Sequence, residues 1–295
     1  MDYKDFLDAV CEYINESAVD VTVSVHSALK NNGVKLSGLS FKREGYNASP
    51  TIYMDNYYVD YLNGSDVSEI GNRLLALYHE NELSINLDMS FFDDYERIRG
   101  KLFIKLINMS RNEEFLREVP YEQFLDLAIV AYVRINDRKI GNGLIMVRNE
   151  HLKVWNVDDK TVLDQAKKNT HDCDGYKLRH IMDVISEFSV HRAGLSEEGK
   201  WDFPMYVATN ERMTNGAAVL TMSDKLSEFA GVIGGDYYVI PSSVHELIIV
   251  GRSEQESSQD INEMIRQVNA TQLGPDDVLS DHVYMYSKRD GVLIF

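Results

Sequence analysis

The chain has 295 residues, 44% of them apolar, and a formal net charge of −17. That length accommodates two core-forming units, or one large unit with insertions, without disulfide staples. Acid spread over both halves repels phosphate backbones and anionic bilayers, so neither nucleic acid nor membrane is an expected partner. The two cysteines, Cys11 and Cys173, lie far apart and lack zinc-knuckle spacing, which predicts reduced thiols in the cytoplasm. The opening MDYKDFLDAVCEYI carries acids where an export signal needs a basic start, and no apolar run reaches bilayer-spanning length. A soluble cytoplasmic protein is therefore expected.

Phe6, Val10, Tyr13 and Ile14 recur at helical spacing and predict a helix over residues 2–16. Alternation at Val21, Val23 and Val25, then Asn31-Asn32-Gly33 turning the chain into Val34 to Phe41, predicts a hairpin, with a third short strand at 51–54. Ser65 and Asp66 cap a helix marked by Val67, Ile70, Leu74, Leu75 and Tyr78, and Glu69 completes a capping box. Residues 102–107 read as a buried strand, and Val119-Pro120 divides the chain into units 1–118 and 119–295.

Beyond that step the order is strand, strand, helix, used three times. Strands at 125–135 and 140–147 lead to helices at about 150–156 and 159–170, and strands at 205–209 and 217–222 lead to a helix at about 224–233. Between these a helix at about 176–189 and a polar loop at 191–201 are expected. In DYYVIPSSVHELIIV (236–250), two apolar runs flank Pro-Ser-Ser-Val-His, a buried hairpin with a polar tip. A helix at about 259–269 follows, and a hairpin around Asp290-Gly291 closes the chain. The fold class expected is α+β: a mainly antiparallel sheet of strand-strand-helix units with helices largely on one face, preceded by a smaller α+β part.

Five separated segments carry a resemblance: NNGVKLSGLSFKREGYNASPTIYM (31–54), VPYEQFLDLAIV (119–130), GNGLIMVRNEHLKVWNV (141–157), IPSSVHELIIV (240–250) and VNATQLGPDDVLSDHVYMY (268–286). They resemble, in order, a domain-of-unknown-function family of bacterial proteins common in anaerobic gut Clostridia and their relatives. The resemblance implies a bacterial origin and carries no activity or site residue.

Ser242, Ser243, His245 and Glu246 bring a hydroxyl, an imidazole and a carboxylate to the hairpin tip, the groups that nucleophilic catalysis needs. No Gly-x-Ser-x-Gly elbow accompanies them, so a polar turn competes with that reading. Ser280, Asp281 and His282 open the last hairpin and could join His245 in one acid–base or divalent-metal pocket, against a turn cap and a half-buried strand histidine. His171, Asp172, Cys173 and Asp174 offer four ligand types in four residues, yet neighbouring side chains rarely converge on one ion. Arg97, Arg99, Lys101, Lys105 and Arg111 form a stretch without acids, too poor in aromatics to stack bases. No Walker A, Rossmann, HExxH or CxxC pattern occurs, so neither a cofactor nor a bound metal is expected. The first expectation is a non-enzymatic binding or regulatory module with a protein or small-molecule partner. The alternative is a hydrolase using Ser242, Ser243 and His245, with Asp281 or His282.

Overall fold

The computed structural model describes residues 1–46, 49–80, 90–137, 141–189, 205–241, 243–252 and 274–295. The expected helix at 259–269, the polar loop at 191–201 and Ser242 lie outside these residues. The chain forms two compact units, Met1–Phe91 and Phe92–Phe295. All strand pairings described are antiparallel, and the fold is α+β.

In the first unit, Asp2 caps helix α1 (Tyr3–Ser17) by accepting from Asp5 N at 2.9 Å, which satisfies one of the donors a helix start leaves unpaired. Its stripe of Phe6, Val10 and Ile14 is fully buried. Strands β1 (Thr22–Leu29), β2 (Lys35–Lys42) and β3 (Thr51–Tyr53) form a sheet in sequence order. Asn32 and Gly33 adopt φ of 60° and 71° in the β1–β2 turn, a conformation that Asn and Gly tolerate better than other residues. Helices α2 (Asp55–Leu62) and α3 (Val67–Glu80) follow, and Asp66 caps α3 by accepting from Glu69 N at 2.8 Å. Helices α1 and α3 cross closely at Gly71, where an added Cβ would stand 2.4 Å from the Tyr13 ring. Ile70, Leu74 and Tyr78 join the α1 stripe, Leu39 and Phe41 in one core.

The second unit begins before the expected division at 118/119. Strand β4 (Leu102–Asn108) pairs along its length with β6 (Leu127–Asp137), across the Val119-Pro120 step, so the break falls at 91/92. Sequence pattern could not reveal this, because pairing partners 19 to 31 residues apart leave no local mark. Short helices α4 (Tyr95–Ile98) and α5 (Glu113–Leu116) flank β4. On the other side of β6 lie β5 (Tyr121–Phe124) and then β7 (Gly141–Met146). The β5–β6 hairpin turns at Leu125, with φ of 56°, and Asp126. Helix α6 (Asn149–Trp155) leads to α7 (Asp159–Cys173), which packs on this sheet; Thr170 Oγ1 accepts from Ile104 N at 2.9 Å and donates to Ala166 O at 2.8 Å.

The other sheet has six strands: β8 (Lys177–His180), β9 (Met205–Thr209), β10 (Tyr237–Ile240), β11 (Leu247–Gly251), β12 (Tyr284–Ser287) and β13 (Val292–Ile294), in the spatial order β13-β12-β10-β11-β9-β8. The expected β10–β11 hairpin is present, with Val239 opposite Ile249. Every residue of β10 is buried, as its unbroken apolar character requires; on β11, Ile249 is fully buried and Ile248 only partly.

Two expectations fail here. The segment expected as a strand at 217–222 is a 3-10 turn (Gly216–Thr221), and β9 pairs instead with β8, which had been assigned to the start of a helix. Helix α8 (Ile181–Ser189) starts only after β8. The strand-strand-helix unit is therefore not repeated through this region. Ala217, Ala218, Val219 and Leu220 are all buried, so the segment is apolar on every side and carries no alternation to distinguish strand from helix. Its next neighbour is helix α9 (Ser223–Ile233), whose Leu226 carbonyl accepts from the Tyr237 hydroxyl at 2.9 Å.

Candidate functional site

The hairpin tip expected to carry a hydroxyl and an imidazole is a closed hydrogen-bond knot. Asn215 N donates to His245 Nδ1 at 3.2 Å, which leaves the ring proton of the neutral imidazole on Nε2, where Asp277 Oδ1 accepts at 3.1 Å. Both ring nitrogens are thereby engaged. Ser243 Oγ accepts from the backbone N of His245 at 3.0 Å, so serine and histidine meet through main chain and not through the imidazole. Ser243 is buried and forms an isolated bridge with Val278. The His245 carbonyl accepts from Gly216 N at 3.0 Å and from Thr209 Oγ1 at 2.9 Å. A side chain at 216 would place its Cβ 2.5 Å from that carbonyl, which explains the Asn-Gly step at 215–216.

A different carboxylate organises the second cluster. Asp126, at the β5–β6 turn, accepts from Ser280 Oγ at 2.7 Å, from the Tyr284 hydroxyl, and from His282 Nδ1 at 3.2 Å. With the carboxylate as acceptor, Nδ1 carries the proton and Nε2 of the neutral ring keeps its lone pair. Ser280 is fully buried and accepts from His282 N at 3.1 Å, which fixes the start of the final hairpin. Burial, then the Asp126 charge, push the Tyr284 phenol well above the usual tyrosine range, so it stays a donor. The His282 ring stands edge-on to Phe295 at 5.2 Å and keeps half of its side-chain surface exposed.

His282 and Asp126 line a cleft of about 560 Å³, within the usual range for a small-molecule site. Arg111, Arg117, Glu113 and Tyr121 share its wall. Asp281 also lines it and pairs with Arg111. Behind them Asn108 braces the wall: its amide donates to Leu279 O at 3.0 Å, and its Oδ1 accepts from Arg111 N at 2.9 Å and Ser110 Oγ at 3.0 Å. Two guanidiniums thus face three carboxylates and one imidazole, a nearly charge-balanced set with donors and acceptors on both sides.

The two histidines do not form one composite site, since His245 answers to Asp277 and His282 to Asp126. His171 is held by Asp224 at 3.0 Å and Asp172 at 3.3 Å on an exposed helix end, and among the described residues no cluster of three or more His, Cys, Asp or Glu could hold a metal ion. The basic stretch is dispersed: Arg99 pairs with Glu96 at 3.1 Å and Arg111 with Asp281. Sequence reasoning passed over Asp126 and Tyr284. A lone acid inside the otherwise apolar LDLAIV was the one available signal for Asp126.

The model of a family of unknown function, DUF5688, matches residues 3–288. The chain belongs to that family. DUF5688 thus spans both units and includes Asp126, His282 and Tyr284 in its matched region. No curated protein and no solved structure matches the chain.

Proposed function

We propose that this DUF5688 member is a non-enzymatic binding module that takes a small, uncharged or zwitterionic polar molecule in the cleft around Asp126 and His282. The observation that carries the reading is the Asp126 carboxylate, which holds the His282 imidazole by Nδ1 and so offers Nε2 to the cleft in one fixed orientation. Arg111 and Arg117 suit a ligand carboxylate or hydroxyl, while Glu113 suits an ammonium group; the balanced set disfavours a polyanion such as nucleic acid. The proposal puts the protein in the bacterial cytoplasm, supported by Cys11 and Cys173 both being free thiols.

Thermal melts of the full chain against a panel of amino acids, nucleosides and simple sugars test this. At least one compound should raise the melting temperature, and His282→Ala should abolish that rise while leaving the unliganded melt nearly unchanged. A panel without effect, or a rise that survives His282→Ala, sinks the reading.

A second reading is favoured by the same pair: an imidazole oriented by a carboxylate through Nδ1 is the arrangement of a general base, which would make the cleft a hydrolase site. Turnover of an ester or phosphoester by the parent, lost in both His282→Ala and Asp126→Asn, would replace the first reading with this one.

A further inference from the structure

Asn210 winds the chain after β9 into a rigid loop. Its Oδ1 accepts from Arg212 N at 3.1 Å and Thr214 N at 3.2 Å, and its amide donates to Thr214 O at 2.8 Å. Met213 and Asn215 both adopt left-handed backbone, with φ of 51° and 56°. The conformation is tolerable for Asn and strained for Met, so the loop is held by its bonds and not by its residues' own preferences. Asn215 is further pinned by donating its backbone N–H to His245.

This pinned asparagine lines a second cavity of about 490 Å³, distinct from the His282 cleft. Asn215 is 5% exposed, and its Nδ2 has no hydrogen-bond partner among the described residues. A buried amide donor left unpaired is costly and rare in a native fold. Beside it stands Arg212, exposed and without an acidic partner among the described residues. Arg134 forms the floor. It is stacked 3.5 Å over the Phe103 ring and bonded to Asp174 Oδ1 at 2.8 Å and the Tyr132 hydroxyl at 3.1 Å. Asp174 balances Arg134, so Arg212 leaves the cavity with a surplus positive charge in a chain of net charge −17. Leu144, paired with Arg134 across the β6–β7 ladder, adds an exposed apolar side chain to the lining.

We propose that this cavity is a binding site for a small molecule carrying one oxyanion group, a carboxylate or a phosphate, on an apolar body. The oxyanion would accept from Asn215 Nδ2 and from the Arg212 guanidinium, while the body lies along Leu144. The site stands apart from the His282 cleft and does not depend on what that cleft binds.

The test is a titration of the isotope-labelled full chain, followed through the Asn215 side-chain amide and Thr214 backbone signals, with benzoate in one arm and phenyl phosphate in the other. The two probes share a body and differ in the head group. Saturable shifts with either support the site, and the probe that produces them names the source. Asn215→Asp keeps a residue that tolerates the left-handed backbone but replaces the donor with a second negative charge; Arg212→Gln removes an exposed cation. Each should weaken binding about tenfold or more, Arg212→Gln without lowering the melting temperature, and His282→Ala should leave binding unchanged. No saturable shift with either probe at millimolar concentration overturns the proposal, as does unweakened binding to Arg212→Gln.

Discussion

His245 and His282 each sit beside a carboxylate and two residues from a serine, and in one dimension they look alike. In space they are opposites. His245 has both ring nitrogens engaged, by Asn215 N and Asp277, and ties the 210–216 loop to the strand that follows it. His282 has one nitrogen on Asp126 and lines an open cleft with the other side of its ring half exposed. A constellation of reactive residue types is therefore no guide to chemistry until the hydrogen bonds are followed to their ends. A side chain whose capacity is exhausted holds structure, and only one with capacity left over can meet a ligand.

The comparison breaks first at the strand that follows His245. Ile249 is fully buried on β11, and Ile249→Ala should cost about 2–5 kcal/mol in a denaturant melt, whereas the half-covered Ile248→Ala should fall below that range. Equal costs at the two positions would show that the β11 register is wrong. His245→Ala comes next, at about 1–2 kcal/mol, because it leaves Asn215 N and Asp277 without their partner. His282→Ala should cost only about 0.5 kcal/mol, since its half-exposed ring holds one bond and Asp126 keeps Ser280 and Tyr284. If the order of the two histidines were reversed, their assigned roles would be exchanged too.

The smallest effect is electrostatic and belongs to a third histidine. His171 has its pKa raised by donating hydrogen bonds to Asp224 and Asp172. A raised folded value means that its contribution to stability is complete below the unfolded histidine value of 6.5 and is lost as pH rises through the higher folded value. Comparing melts of the parent and His171→Gln from about pH 6 to about pH 8 should show the parent's small advantage shrinking toward zero. The exposed setting keeps the effect slight. An advantage that grew with pH would contradict the geometry.

Periodic features were readable from sequence and the site was not, for a physical reason. Helix α1 with its Phe6, Val10 and Ile14 stripe, the Asp66 cap of α3 and the apolar β10–β11 hairpin all write their burial into nearest neighbours. The residues at 217–220 carry no period because they are buried all round, so their sequence reads equally as part of a strand. Asp126 lies more than 150 positions from the side chains it gathers, and Asn215 is notable only for a bond it does not make. Neither kind of fact has a local signature. The two histidines look alike in sequence, and their difference lies wholly in tertiary partners.

Gly71 gives the first unit a property of its own. Glycine inside a helix usually weakens it, yet here the missing Cβ lets α3 approach one edge of the Tyr13 ring, whose hydroxyl reaches Asn72 at 3.2 Å. A methyl group at that position would improve the helix and spoil the crossing in the same stroke, since the ring must swing away and abandon Asn72. Local preference and packing are thus set against each other at a single atom, and packing has prevailed. That makes position 71 a natural dial for loosening Met1–Phe91 as a folding block without editing any residue that lines the His282 cleft or the Asn215 cavity.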